Sequence, residues 1–166
     1  GAVSADAEGR ITAVDLADRP TTDADLAVLA RLPHLEVLEV WGAEISDRGI
    51  AALAAAPALR QLVLENTGIT DEGAKALARM PGLRVLNLRR STNLGDEALG
   101  AVASLANLEQ LLLLYNNFTD AGIADSARWP SCGCSTSAAV RSSPTRLSRT
   151  WPRWRAWSAS SSAARR

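Results

Sequence analysis

Few side chains in this chain could carry out a reaction, and their spacing limits what each can do. His34 is the single histidine. It stands in a Pro-His step with no nucleophile or carboxylate at fixed spacing beside it, so it reads as a solvated turn residue rather than a general base. Asp47, Asp71, Asp96 and Asp120 form a column that could suggest a calcium ladder. Each follows Ser46, Thr70, Gly95 or Thr119, and none is clustered with other oxygen donors. That pattern predicts helix starts, where a hydroxyl caps the first turn and the carboxylate complements the positive end of the helix dipole. On that reading Asp71→Ala costs on the order of 0.3–1 kcal/mol. Cys132 and Cys134 lack partner ligands at zinc spacing. No glycine-rich phosphate cradle is present, so the sequence predicts no enzyme, no cofactor and no metal.

What remains is chemistry of recognition. Trp41, Tyr115, Arg89 and Arg90 are of the types that anchor interfaces. Together with Asp15, Glu39, Gln61, Glu65, Asn87 and Gln110 they recur at related positions of a repeating unit, and that unit must position them.

Apolar residues return every 24 residues from Ile11, at offsets 0, 3, 5, 15, 18 and 21. Leu35, Leu38, Val40, Ile50, Leu53 and Ala56 fill one unit; Leu59, Leu62, Leu64, Ala74, Leu77 and Met80 fill the next. The fourth unit carries one extra loop residue and regains the pattern at Leu94. Leu108, Leu111, Leu113 and Ile123 begin the fifth. Offsets 0 to 5 alternate apolar with polar, the mark of a half-buried strand. Offsets 15, 18 and 21 keep helical spacing and lay one apolar stripe on a core. One strand and one short helix cannot bury both apolar faces alone, whereas stacked copies can. A sustained period of this length therefore predicts a solenoid. Strands are expected at 13–16, 37–40, 61–64, 85–88 and 110–113, and helices at 23–31, 47–55, 71–79 and 96–104, with another starting at 120. Gly49, Gly73 and Gly122 recur where a small residue lets neighbouring coils approach.

The units resemble leucine-rich repeats. They are most similar to the bacterial 24-residue type, L-x-x-L-x-L-x-x-T-x-I-T-D-x-G-L, which the run from Leu59 through Leu62, Leu64, Thr67, Ile69, Thr70 and Asp71 to Gly73 follows almost slot for slot. The resemblance implies an α/β solenoid: a right-handed curved horseshoe with a parallel sheet on the concave face and short helices on the convex face. It also implies a protein partner, of unspecified identity, on the concave face. The strand positions expected there are Asp15, Glu39, Trp41, Gln61, Glu65, Asn87, Arg89, Arg90, Gln110 and Tyr115. Plainer readings stand beside these: Trp41 folded over Ala43, the two arginines paired with Glu65, and Leu112 and Leu114 covered by further repeats. A second functional reading is a sensor segment of a larger kinase or hydrolase.

The zero net charge hides two opposite parts. Residues 1–125 hold 18 acidic and 10 basic side chains, while residues 126–166 hold eight arginines, eleven serines, four of the five tryptophans and no acid. The expected division is an N-terminal flank at 1–10, repeats at 11–125 and this tail. Arginine with tryptophan invites a nucleic-acid reading. The genetic code offers a sharper one. Trp and Cys codons both begin TG, so reading one base earlier turns Trp129, Cys132, Cys134, Trp151, Trp154 and Trp157 into Leu, Val or Met. Those positions fall on or beside the apolar slots of further repeats, and Ser126 stands where Leu29, Leu53 and Leu77 stand. The tail is thus expected to be repeat sequence in a shifted frame, and nucleic acid is not the expected partner. Gly1 in place of Met predicts a start upstream. No apolar run approaches the ~18 residues of a membrane helix, and the repeats lack cysteine, so a cytoplasmic, non-membrane setting is favoured.

Overall fold

The computed structural model of the protein describes residues 1–119, 121 and 122. Strands and helices alternate: β1 (Ala2–Ala5), β2 (Ile11–Pro20), α1 (Asp23–Leu29), β3 (Val37–Trp41), α2 (Asp47–Leu53), β4 (Gln61–Glu65), α3 (Asp71–Leu77), β5 (Val85–Asn87), α4 (Asp96–Ala103) and β6 (Gln110–Leu112). The six strands form one sheet in chain order, and β2 to β6 are parallel. Leu38 lies beside Leu62, Leu62 beside Leu86 and Leu86 beside Leu111. The register thus repeats the sequence period, and each helix packs on the helix of the next coil. This is an α/β repeat solenoid.

Each coil is too short to fold alone. A seven-residue helix is marginal in water, because nucleating its first turn fixes several residues for one hydrogen bond. Burial supplies what the helix lacks. The inward leucines of the strands and the helix residues Leu26, Ile50, Leu53, Ala74, Leu77, Leu99 and Val102 are all buried in one continuous core. A further buried column, at a seventh position of the unit that Ile69 and Leu94 already mark in the sequence, runs through Ile45, Ile69, Leu94 and Phe118 just before the helices. It closes the core along the loops that lead from strand to helix.

A polar ladder lies beneath the strand ends. The Thr67 and Ser91 hydroxyls are 2.8 Å apart, Ser91 Oγ donates to the Leu64 carbonyl, and Asn116 Nδ2 donates to the Leu88 carbonyl at 2.8 Å. Buried polar groups need such partners.

The first ten residues add a strand to the sheet. After β1 the chain turns through Asp6 to Arg10, where Asp6 Oδ1 accepts the Glu8 and Arg10 amides and Gly9 adopts φ +78°. β1 then pairs antiparallel with β2, Val3 beside Val14, so the sheet is not wholly parallel. The strand covers the backbone edge of the first repeat, an edge that would otherwise be open to pairing. Asp120 and the tail with its shifted-frame expectation lie outside the described residues. No described helix is long and apolar enough to cross a membrane.

Candidate functional site

The inward side chains of the parallel strands fill the core, so the alternate residues face outward as a grid. Adjacent strands lie about 4.8 Å apart. One row runs Ala13, Val37, Gln61, Val85, Gln110. The next runs Asp15, Glu39, Val63, Asn87, Leu112. A third begins Trp41, Glu65 in register and continues, by the repeat, to Arg89 and Leu114. All ten residues singled out from the sequence therefore share one side of the sheet or its margin.

The margin is set by backbone geometry. Asn66, Arg90 and Tyr115 occupy one position of successive coils, with φ of 56°, 59° and 64°, and Gly42 occupies it in the preceding coil. Left-handed backbone is uncommon for residues with a side chain. Here each strand ends by it. The turn sets Arg90 over the Tyr115 ring, 5.7 Å from its centroid, and within 3.6 Å of Glu65. Arg90 remains 55% exposed, so its ion pair contributes modestly. The sequence expectation of pairing with Glu65 is met by Arg90. Arg89 differs: among the described residues it makes no ion pair, and its Nε is buried without an acceptor.

The carboxylates at the other end are engaged only by neutral donors. Asp15 Oδ1 accepts the Ala17 amide at 2.9 Å, and Glu39 Oε1 accepts Gln61 Nε2 at 3.4 Å. Asn87 Oδ1 accepts the Arg89 amide at 3.1 Å, which shapes the strand exit rather than the grid. Trp41 and Tyr115 are 40% and 56% exposed, large aromatic surfaces at two ends of the face. Leu112 and Leu114 are half-buried.

A second set of contacts fixes the register of this grid, and it revises the role read for the aspartate column. The expected hydroxyl caps are present: Ser46 accepts the Arg48 amide, Thr70 the Glu72 amide and Thr119 the Gly122 amide. The aspartates do more than complement their own helix. Asp23 accepts both the amide and the hydroxyl of Ser46 in the next coil, at 2.8 and 2.5 Å. Asp47 does the same for Thr70, at 2.8 and 2.7 Å, and Asp96 for Thr119, at 2.8 and 2.5 Å. Asp71 takes the Gly95 amide at 2.7 Å. Each aspartate thus ties one helix start to the next.

The glycines make room for this. A Cβ at Gly73 would strike Asp47 Oδ1, one at Gly49 would lie 2.5 Å from Asp23 Oδ1, and one at Gly122 would meet Asp96. The hydrogen bonds from Thr119 hold the Asp96 carboxyl below the usual carboxylate range, and those from Thr22 do the same for Asp25. The sequence carried the signal, a Ser/Thr-Asp-x-Gly step at the repeat period, yet a local reading assigns it within one coil. Among the described residues no group of three His, Cys, Asp or Glu could hold a metal ion.

Comparison with known proteins agrees with this geometry. The family model described as "Leucine Rich repeat" matches residues 31–54 and 56–78. No curated protein matches the chain. Among solved structures, one titled "Leiomodin-1 Actin-Binding Site 2 (ABS2)" shares the fold at a TM-score of 0.52 and 21% identity, over 70% of this chain and 76% of that one. Another, titled "Crystal structure of PEPR1-AtPEP1", aligns at a TM-score of 0.49 and 17% identity over 75% of this chain. The present chain spans 18% of the length of that second structure.

Proposed function

We propose that the outward face of β2 to β6 in this leucine-rich repeat protein is a docking surface for another protein and that the chain itself is non-catalytic. One observation carries the reading. Five parallel strands align Asp15, Glu39, Gln61, Val63, Val85, Asn87 and Leu112 in register on one side, half-exposed or exposed, with exposed Trp41 and Tyr115 at its margins. Aromatic and arginine side chains on a rigid grid have the composition of an interface core. The grid is preorganised by the coil-to-coil aspartate bonds, which lowers the entropy lost on association. The leiomodin-1 structure of the same fold, by its title an actin-binding site, supports a protein as the partner class.

The test compares retention of proteins from the source cells by the unaltered chain, by a Trp41→Ala/Arg89→Ala pair and by Val28→Ser on the exposed side of α1. A specific partner is expected to be held by the unaltered chain and by Val28→Ser and lost by the pair. A partner lost with Val28→Ser and kept by the pair would place docking on the helices and contradict the proposal.

A further inference from the structure

The face carries uncompensated charge of opposite sign at its two ends. Asp15 and Glu39 are lateral neighbours on β2 and β3, and neither has a cation partner among the described residues. Like charges directly beside each other in a sheet are destabilising. At the other end Arg89 makes no ion pair, and its buried Nε lacks an acceptor. Beyond Arg89 the face becomes apolar, with half-buried Leu112 and Leu114 and the exposed Tyr115 ring under Arg90. Two or three strand spacings, together with two residues along the strand, separate the carboxylates from Arg89, about 12–16 Å.

We infer that the partner presents an extended segment crossing the strands, with a basic side chain over Asp15 and Glu39, an acidic one on Arg89 and an apolar one beyond it against Leu112, Leu114 and Tyr115. This rests on the docking reading above and adds the polarity and spacing of the occupant. At about 3.3 Å per residue the basic and acidic groups stand four or five residues apart. Charge arranged in this way selects register and direction more than it adds affinity.

The probe is a synthetic peptide of two lysines, a three-residue Gly/Ser spacer and a Glu-Leu pair, compared with the same residues in reversed order. Each is titrated into the full chain and followed by amide chemical shifts. The forward peptide is expected to bind several-fold more tightly than the reversed one, with shifts at Glu39 and Arg89. Glu39→Gln and Arg89→Gln should each weaken it, and Glu39→Lys combined with Arg89→Glu should reverse the preference. Equal binding of both orders, shifts confined to the helices, or no binding would overturn the inference. Self-association of the chain through Glu39 and Arg89 would overturn it in favour of a second copy. Binding seen only after removal of residues 126–166 would overturn it in favour of the chain's own tail. If the partner from the retention experiment still requires Trp41 and Arg89 while peptide order is immaterial, the docking reading stands and the polarity alone fails.

Discussion

At the scale of single residues, the aspartate that begins each helix is a joint between coils. Asp47 takes two hydrogen bonds from Thr70, and bonds to a charged group are each worth about 1.5–3 kcal/mol. Asp47→Ala is therefore expected to cost at least about 1.5–3 kcal/mol in a denaturant titration. Asp71→Ala, which loses only the Gly95 amide, should cost less, though more than a helix-dipole effect alone. Equal, negligible losses for both would remove the joint from the account. Gly73→Ala tests the same contact sterically. Its Cβ would meet Asp47 Oδ1 and lie 3.2 Å from Ile69 Cβ, so a loss of about 1–3 kcal/mol is expected.

The aspartates at two helix starts, Asp96 in a joint and Asp25 bonded to Thr22 of its own coil, also predict a pH dependence. The carboxyls of Asp96 and Asp25 lie below their ordinary value in the fold, so the unfolded chain binds more protons as the solution is acidified. Their stabilisation is present above the unfolded value near 3.9 and is lost as pH falls through the lower folded values. Asp96→Asn should flatten the acid limb of the stability curve, and an unchanged limb would show that Thr119 does not hold the charged form.

At the scale of elements, the alternation of strand and helix was legible because each side chain's period reports its local geometry. Leu38-Glu39-Val40 alternates and is β3; Ile50 and Leu53 keep helical spacing and lie on α2. Helix ends fell short of the expected ranges by one or two residues, since Ala30, Ala54 and Ala78 serve as C-caps and the chain turns at once toward the next strand. The antiparallel β1 was not legible, because Ala2–Ala5 is exposed throughout and carries no burial pattern to read. The grid of candidate residues was legible for the same reason as the strands. Its pairings were not: which of Arg89 and Arg90 meets Glu65 depends on the left-handed turn at Arg90. For the core, Leu62→Ala should cost about 2–5 kcal/mol, since Leu62 is fully buried between neighbouring coils and its cavity cannot collapse. Val63→Ala, on the outward face, should cost much less. Comparable losses in thermal or denaturant unfolding would mean that the two faces of β4 have been assigned the wrong way round.

At the scale of the molecule, the repeat turns short-range rules into a long ordered array. Each coil contacts only its neighbours, so stability is a sum of coil and interface terms. The outward face inherits its regularity from the buried one. That coupling is why the repeat specifies a surface of ordered polarity. Methyl groups on the two sides of the solenoid report directly on where a partner lands. Val37, Val63, Val85 and Leu112 stand half-buried on the strand face, and Val28 is 65% exposed on α1. Titrating the retained partner into methyl-labelled chain should shift or broaden the four strand-face signals and leave Val28 unmoved. Movement of Val28 with a silent strand face would contradict the central claim.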